Sequence, residues 1–424
     1  MPGERPMVRT EIPAMTARED HDIVVAGGGP AGCALATLLQ REGHRCLVLE
    51  ASTFPRYHIG ESLIPHTHGT LSRLGLLEAL RRSTYPVKHS VRFVSPAGSS
   101  SDPFYFSETI EGEGSRTWQV ERSSFDALCV DHARASGVDV RMNAPIERVH
   151  FDGDRAVGVT VRPAPRESYD VAAKVVVDAT GRRTLIGDQL GLKAPVPGLL
   201  KGSLWSYYRG GARLEGIDAG ETTVFLLRGG GWFWYIPLPE DIVSVGVVDD
   251  PQRLFQEGLS PEASYDAQVA ACEPLAARLT QAERNDRVRG LRELAYRNRR
   301  MAGDGWVMIG DAAAFLDPIY SSGLYLALGS AELAAESIHD ALQVDDPSST
   351  RLGAHLDLLG EGVAVIEKLI RAFYTPGFSF RRFVERHPEH RAALIDCLVG
   401  DVIGKKMTAF TNALDDMLSA AARN

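Results

Sequence analysis

The chain has 424 residues, 44% of them hydrophobic and 24% charged, with a formal net charge of −9. That is enough ordinary globular sequence for two or three packed units. No basic tract offers a nucleic-acid footprint, and no run approaches the roughly 20 apolar residues of a membrane span, so neither nucleic acid nor membrane is expected as a partner. The five cysteines, Cys33, Cys46, Cys129, Cys272 and Cys397, are scattered and form no C-x-x-C pair. Neither a metal centre nor a disulfide framework is expected, and a reduced, cytoplasmic setting is the default.

In chain order, residues 1–20 carry charges throughout and no apolar run, which predicts a flexible N-terminal arm rather than a signal peptide. HDIVVAGGGPAGCALATLLQREGHRCLVLE then reads as strand, glycine turn, helix and strand, a βαβ unit. Two further strand-to-glycine turns follow, KVVVDATGRR and WVMIGDAAAF, the last leading into the helical run SSGLYLALGSAELAAESI. The intervening stretches near 85–125 and 195–290 carry alternating apolar patterns, a sheet signal. From about residue 351 to 424 the pattern is helical. The expected fold is α/β: a Rossmann-like nucleotide-binding domain over 21–350, an inserted mixed β-sheet substrate domain, and a helical C-terminal segment.

Gly27, Gly29 and Gly32 form G-x-G-x-x-G between that first strand and helix. The first glycine permits the tight turn, the second lets a pyrophosphate approach the backbone, and the third lets helix and strand pack closely. The helix start then offers amide donors and a positive dipole end. Glu50 closes the second strand 18 residues beyond Gly32, placed for a carboxylate that accepts from ribose hydroxyls.

With Gly310 and Asp311 at a late strand end, the D-A-T-G turn at 178–181 and Arg122 in WQVERSSFDALC, this pattern resembles the FAD-dependent aromatic-hydroxylase-like superfamily across nearly the whole chain. The resemblance implies FAD rather than NAD, with Asp311 on the ribityl chain and Arg122 near the cofactor. Three more stretches narrow it. FPRYHIGESLIP matches R-x-H-x-G-E-S at Arg56, His58, Gly60, Glu61 and Ser62; WFWYIP matches W-x-W-x-I-P; FLDPIYSSG matches F-x-x-P-x-x-S-x-G at Phe315, Pro318, Ser321 and Gly323. Together they resemble the flavin-dependent halogenases of the phenol and pyrrole type, and Lys88 in TYPVKHSVRF stands where that family has its lysine.

That resemblance implies a chemistry. Reduced FAD, oxygen and chloride or bromide give hypohalous acid. Halide rests on the backbone amides of Ser322 and Gly323. Lys88 either takes up the halogen as a haloamine or directs hypohalous acid onto the ring. Trp232 and Trp234, with Tyr320, are expected to screen substrate from flavin. Tyr320 replaces the glutamate of tryptophan-halogenating members, so an electron-rich phenol or pyrrole is expected, as a small molecule or tethered to a carrier protein. Arg381, Arg382 and Arg386 could meet an acidic carrier. Lys201 fits no motif, and His89 and Ser90 depart from the residues expected beside the lysine. No second G-x-G-x-x-G offers a nicotinamide site, which implies a separate flavin reductase. A single-component aromatic monooxygenase and a flavin-binding partner subunit without oxidative chemistry remain alternatives.

Overall fold

The computed structural model describes residues 20–421; apart from Asp20, the expected N-terminal arm lies outside the described residues. The first strand, Asp20–Ala26, is buried from Ile23 to Ala26 and pairs in parallel with Cys46–Leu49 on one side and Glu167–Asp178 on the other. A strand covered on both sides reads as a continuous apolar run rather than an alternating one, which is why IVVA carries no period. Trp306–Met308 and Asp139–Arg141 extend the parallel layer, and Ile146–Asp152 with Arg155–Ala164 form an antiparallel extension. The register sets Ala26 opposite both Leu49 and Asp178, and Asp178 opposite Met308. Four strand ends therefore stand in one row, and the residues after them share one edge of the sheet, where open α/β sheets bind ligands.

Among the helices that cover one face of this sheet, two open at the site. Pro30–Arg41 begins at Gly29 with proline in its first turn, a pre-organised start. Ser322–Gln343 packs beside it through Leu328, Ala331, Ala334 and Ile338 against residues such as Leu35 and Leu39.

A second sheet is built from the intervening segments. Its order is Glu283–Arg284, Gly202–Arg209, Ile242–Asp249, Trp232–Pro237, Thr222–Leu226, Ser90–Val94 and Phe104–Tyr105, with Arg289–Leu291 beside Gly202–Arg209. All six residues of WFWYIP are buried, because both faces of this strand are covered. Trp232, Trp234 and Ile236 join one apolar cluster, whereas Phe233 and Tyr235 join another on the opposite face with Val245 and Tyr265. Gly246 lies opposite Trp234 in the neighbouring strand, and a Cβ there would sit 2.1 Å from the Trp234 ring and 2.6 Å from Trp205. A glycine is what lets the two indoles lie across that strand.

Helices Leu356–Tyr374, Phe380–Arg386, Arg391–Val399 and Thr408–Ala421 close over the first of those faces, contributing Ile366, Leu369, Phe383, Leu398 and Phe410 to the cluster that holds Trp232. The five cysteines are buried and unbridged. Among the described residues, no helix is long and apolar enough to cross a membrane.

Candidate active site

Between the row of strand ends and the face bearing Trp232 lies a cavity of about 450 Å³. Its floor is the glycine turn. Gly27 has φ +104°, and a Cβ would stand 2.5 Å from the Ala179 carbonyl oxygen. A Cβ on Gly32 would stand 2.1 Å from the Gly27 carbonyl oxygen, so the third glycine is what lets helix and strand touch. Gly29 is different. The nearest atom to a Cβ there is an Arg56 guanidinium nitrogen at 3.7 Å, so the backbone faces open space at the helix start. No side chain caps that start, which leaves first-turn amides for an anion. These residues fit a pyrophosphate and its nucleoside.

Glu50 lies at the rim of the cradle. Its carboxylate accepts from the Gly28 amide at 2.8 Å and the Ser52 amide at 2.9 Å, which fixes it beside the turn. Arg56 pairs with the buried Asp126 at 3.2 Å, lines the cavity and lies above Phe54. Asp311 occupies the wall in the short turn Gly310–Ala312. Burial pushes its carboxyl up to about 6, against the pull of Arg182 and Arg122.

Arg122 does two things. It grips Asp126 one turn later on its own helix through two hydrogen bonds, and its remaining nitrogen donates to the carbonyls of Ile59 at 2.8 Å and Gly60 at 3.3 Å. The R-x-H-x-G-E-S segment is thereby pinned across the cavity. Burial, with the Arg122 cation adding to it, pushes the His58 imidazole down to about 4. Glu61 is buried and accepts from the Tyr207 hydroxyl at 2.6 Å, which anchors the segment to the second sheet.

The last residue of that segment reaches the lysine. Lys88 sits on the two-residue strand Val87–Lys88, paired with Thr117–Trp118, and is 0% exposed. Its Nζ donates to Ser62 Oγ at 2.8 Å and to the Leu63 carbonyl at 3.2 Å. Lys88 is not on the cavity wall; Ser62 and its hydroxyl neighbour Thr222, 3.2 Å away, are. Burial pushes the Lys88 ammonium down to about 7, opposed by the Glu221 carboxylate. That carboxylate is held by Arg92 and Ser90, so its charge is largely committed elsewhere.

On the opposite side, Pro318, Ser321 and Gly323 line the cavity. Ser321 adopts φ +54°, an uncommon conformation for a non-glycine residue, and the 22-residue helix begins immediately after it at Ser322. The Ser322 side chain is buried, while the Ser322 and Gly323 amides open the helix. Trp232 and Trp234 are both on the wall, their rings 6.1 Å apart, and Trp205 continues the row 6.5 Å beyond Trp234.

Tyr320 departs from its expected place. It is not on this wall; it packs among the C-terminal helices and donates to the Leu369 carbonyl at 3.2 Å. The positive φ of Ser321 turns the chain, so sequence neighbours face different ways. Lys201 is also away from the wall, stacked over Tyr374 at 4.5 Å. Arg381, Arg382 and Arg386 are exposed, with Arg381 paired to Glu385. Trp205, Tyr57 and Thr222 line the cavity but belong to no motif; the aromatic strand run LWSYY was the available signal for Trp205.

A family model described as an FAD binding domain matches residues 20–344. The 1H-pyrrole-2-carbonyl-(peptidyl-carrier protein) chlorinase of Pseudomonas fluorescens is 30% identical, covering 95% of this chain and 94% of its own length. The corresponding brominase of Pseudoalteromonas luteoviolacea is 29% identical over 95% of this chain and 98% of its own. The solved structure of the flavin-dependent brominase Bmp2 superposes with a TM-score of 0.85 at 27% identity, covering 96% of this chain and 100% of that one. The cradle, the pinned segment and these likenesses place the chain in one family: it belongs to the flavin-dependent halogenases, FAD-binding oxidoreductases that use chloride or bromide.

Proposed function

We propose that the chain halogenates an electron-rich ring, a pyrrole or phenol, with hypohalous acid delivered through Lys88. The observation that carries this reading is the lysine itself: fully buried, bonded to a cavity-lining hydroxyl, and held near a pKa of about 7. An amine there is about half neutral near pH 7, and the neutral form is nucleophilic enough to take a halogen while the protonated form is still a hydrogen-bond donor. Bound FAD, once reduced, supplies with oxygen the oxidising equivalents that convert halide to hypohalous acid.

The residues divide the remaining work. Gly27, Gly29 and Gly32 shape the phosphate cradle, with Glu50 toward the ribose and Asp311 and Arg122 toward the rest of the cofactor. Amides of Ser322 and Gly323 hold the halide at the positive end of a 22-residue helix. Pro318 stiffens the turn before it. Ser62 orients the Lys88 amine, and Trp232 and Trp234 exclude water and keep substrate from the flavin. Trp234→Ala opens that wall, so it is expected to release more hydrogen peroxide per reduced flavin and to lower halogenated product, measured as the product-to-oxygen ratio. An unchanged ratio would remove the indole from the screen.

The two relatives above are named for pyrrole-2-carbonyl on a peptidyl carrier protein. That supports a carrier-tethered pyrrole as the substrate here, with the exposed Arg381, Arg382 and Arg386 available to an acidic carrier. A single G-x-G-x-x-G supports a separate flavin reductase as the source of reduced FAD. The purified protein with NADPH and FAD is expected to consume no NADPH until a flavin reductase is added, whatever aromatic is present. Rapid, substrate-stimulated NADPH oxidation by the protein alone would favour a single-component monooxygenase instead.

A further inference from the structure

Two polar groups that the reaction above does not use, the half-buried Tyr374 hydroxyl and the buried Asp317, join the Trp232 indole in one chain between the two walls of the site. The Trp232 indole nitrogen donates to the Tyr374 hydroxyl at 2.9 Å, and that hydroxyl donates to Asp317 at 2.9 Å. The other oxygen of Asp317 accepts from the Ile319 amide at 3.0 Å. Asp317 is only 4% exposed and caps the turn that runs through Pro318 and Ser321 into the helix start at Ser322. The Ser321 amide closes the same turn onto the Pro318 carbonyl at 3.0 Å, with Ser321 held at φ +54°. Tyr374 is the last residue of the helix Leu356–Tyr374, 142 residues from Trp232 in sequence.

We infer that Tyr374 and Asp317 are positioning residues that set the halide turn and the Trp232 indole in register, making the C-terminal helix a working part of the halide site. This rests on the halogenase reading above. The physical argument is one of constraint. A turn with a non-glycine residue in the left-handed region persists only where its surroundings hold it. Here a buried carboxylate does so from one side, and the carboxylate is itself fixed by a hydroxyl whose remaining lone pair takes the indole N–H. Removing the hydroxyl leaves a buried donor on Trp232 and a buried acceptor on Asp317 without their partner, and both can regain one only by moving. Either movement shifts the amides of Ser322 and Gly323.

The test is a halide titration of product formation at fixed reduced FAD and aromatic substrate. Tyr374→Phe and Asp317→Ala are expected to raise the KM for bromide at least about five-fold, with kcat at saturating bromide within about two-fold of the native enzyme. Asp317→Asn keeps an acceptor for Ile319 but turns an N–H toward the Tyr374 hydroxyl, which must then accept rather than donate, so its bromide KM is expected to lie between the native value and that of Asp317→Ala. Native bromide KM in both Tyr374→Phe and Asp317→Ala, or an Asp317→Asn variant as impaired as Asp317→Ala, would overturn the inference. Flavin content is measured in parallel. If Asp317→Ala does not fold, the near-isosteric Tyr374→Phe decides alone. The native protein is the control for the underlying reading: no halogenated product from it in any condition contradicts that reading, whereas product with an unmoved KM in Tyr374→Phe contradicts only the positioning.

Discussion

Lys88→Met is expected to lower halogenation by a factor on the order of 10²–10⁴ or more, while flavin binding and oxygen consumption by reduced enzyme continue. The amine bonded to Ser62 is the nitrogen proposed to accept or steer an electrophilic halogen, and thioether packing keeps most of the buried volume. The same variant reports on the amine's environment. The folded ammonium is held at about 7 against an ordinary value of 10.5. Between those values the unfolded chain binds one proton more than the folded chain, so this group's contribution to stability rises with pH through that window. Below about 7 its full cost is present; above about 10.5 it is gone. A thioether in its place cannot titrate. The difference in Tm, variant minus native, is therefore expected to fall as pH rises from 7 to 10, read by thermal unfolding at several pH values. A difference independent of pH would mean that the amine is solvated in the folded protein, and retained halogenation would remove Lys88 from the chemistry.

Gly32→Ala is expected to be a severely damaging single-methyl change in the cradle. The new Cβ would stand 2.1 Å from the Gly27 carbonyl oxygen, with Val25 at 3.1 Å and Ala179 at 3.3 Å. The first of these is backbone and has no rotamer to give, so the helix must lift from the strand. Overpacking of this kind costs about 1–3 kcal/mol, and more where backbone is the obstacle. Gly29→Ala is the informative contrast, because only the flexible end of Arg56 is near, at 3.7 Å. The Gly29 variant is expected to unfold at the native temperature but to bind FAD weakly, whereas the Gly32 variant loses both stability and flavin. Thermal unfolding with a flavin-binding titration separates them. A native melting temperature for Gly32→Ala would show that the close approach is not needed.

What could be read from the residues was what is local. The βαβ start was legible because its glycines, its buried strands and the closing carboxylate all fall within 31 residues, from Asp20 to Glu50. The facing of WFWYIP was legible too, since a strand alternates with period two whatever it packs against. Contacts set by register were not. Thr222–Leu226 pairs in parallel with Ser90–Val94, and that pairing brings the lysine segment to Thr222, more than 130 residues away. The Lys88–Ser62 bond and the Tyr374–Trp232 bond likewise join elements that no periodicity relates. Trp205 carried no motif, yet it stands in the same row of indoles because Gly202–Arg209 is two strands from Trp232–Pro237. Tyr320 was expected at the screen because it stands in the position of another member's glutamate, but the left-handed Ser321 beside it lets the chain turn, and Tyr320 packs among the C-terminal helices instead.

Whether reduced FAD is spent here on halogen transfer through Lys88 is read from the mass of the product. The native protein is supplied with a flavin reductase, NADPH, FAD, oxygen, bromide and a carrier-tethered pyrrole-2-carbonyl. It is expected to give product bearing the paired isotopes of bromine, and Lys88→Met to give at least about 10²-fold less at equal oxygen consumption. Product carrying an added oxygen in place of bromine would mean that the flavin oxygenates the ring, and equal bromination by Lys88→Met would mean that halogen does not pass through Lys88.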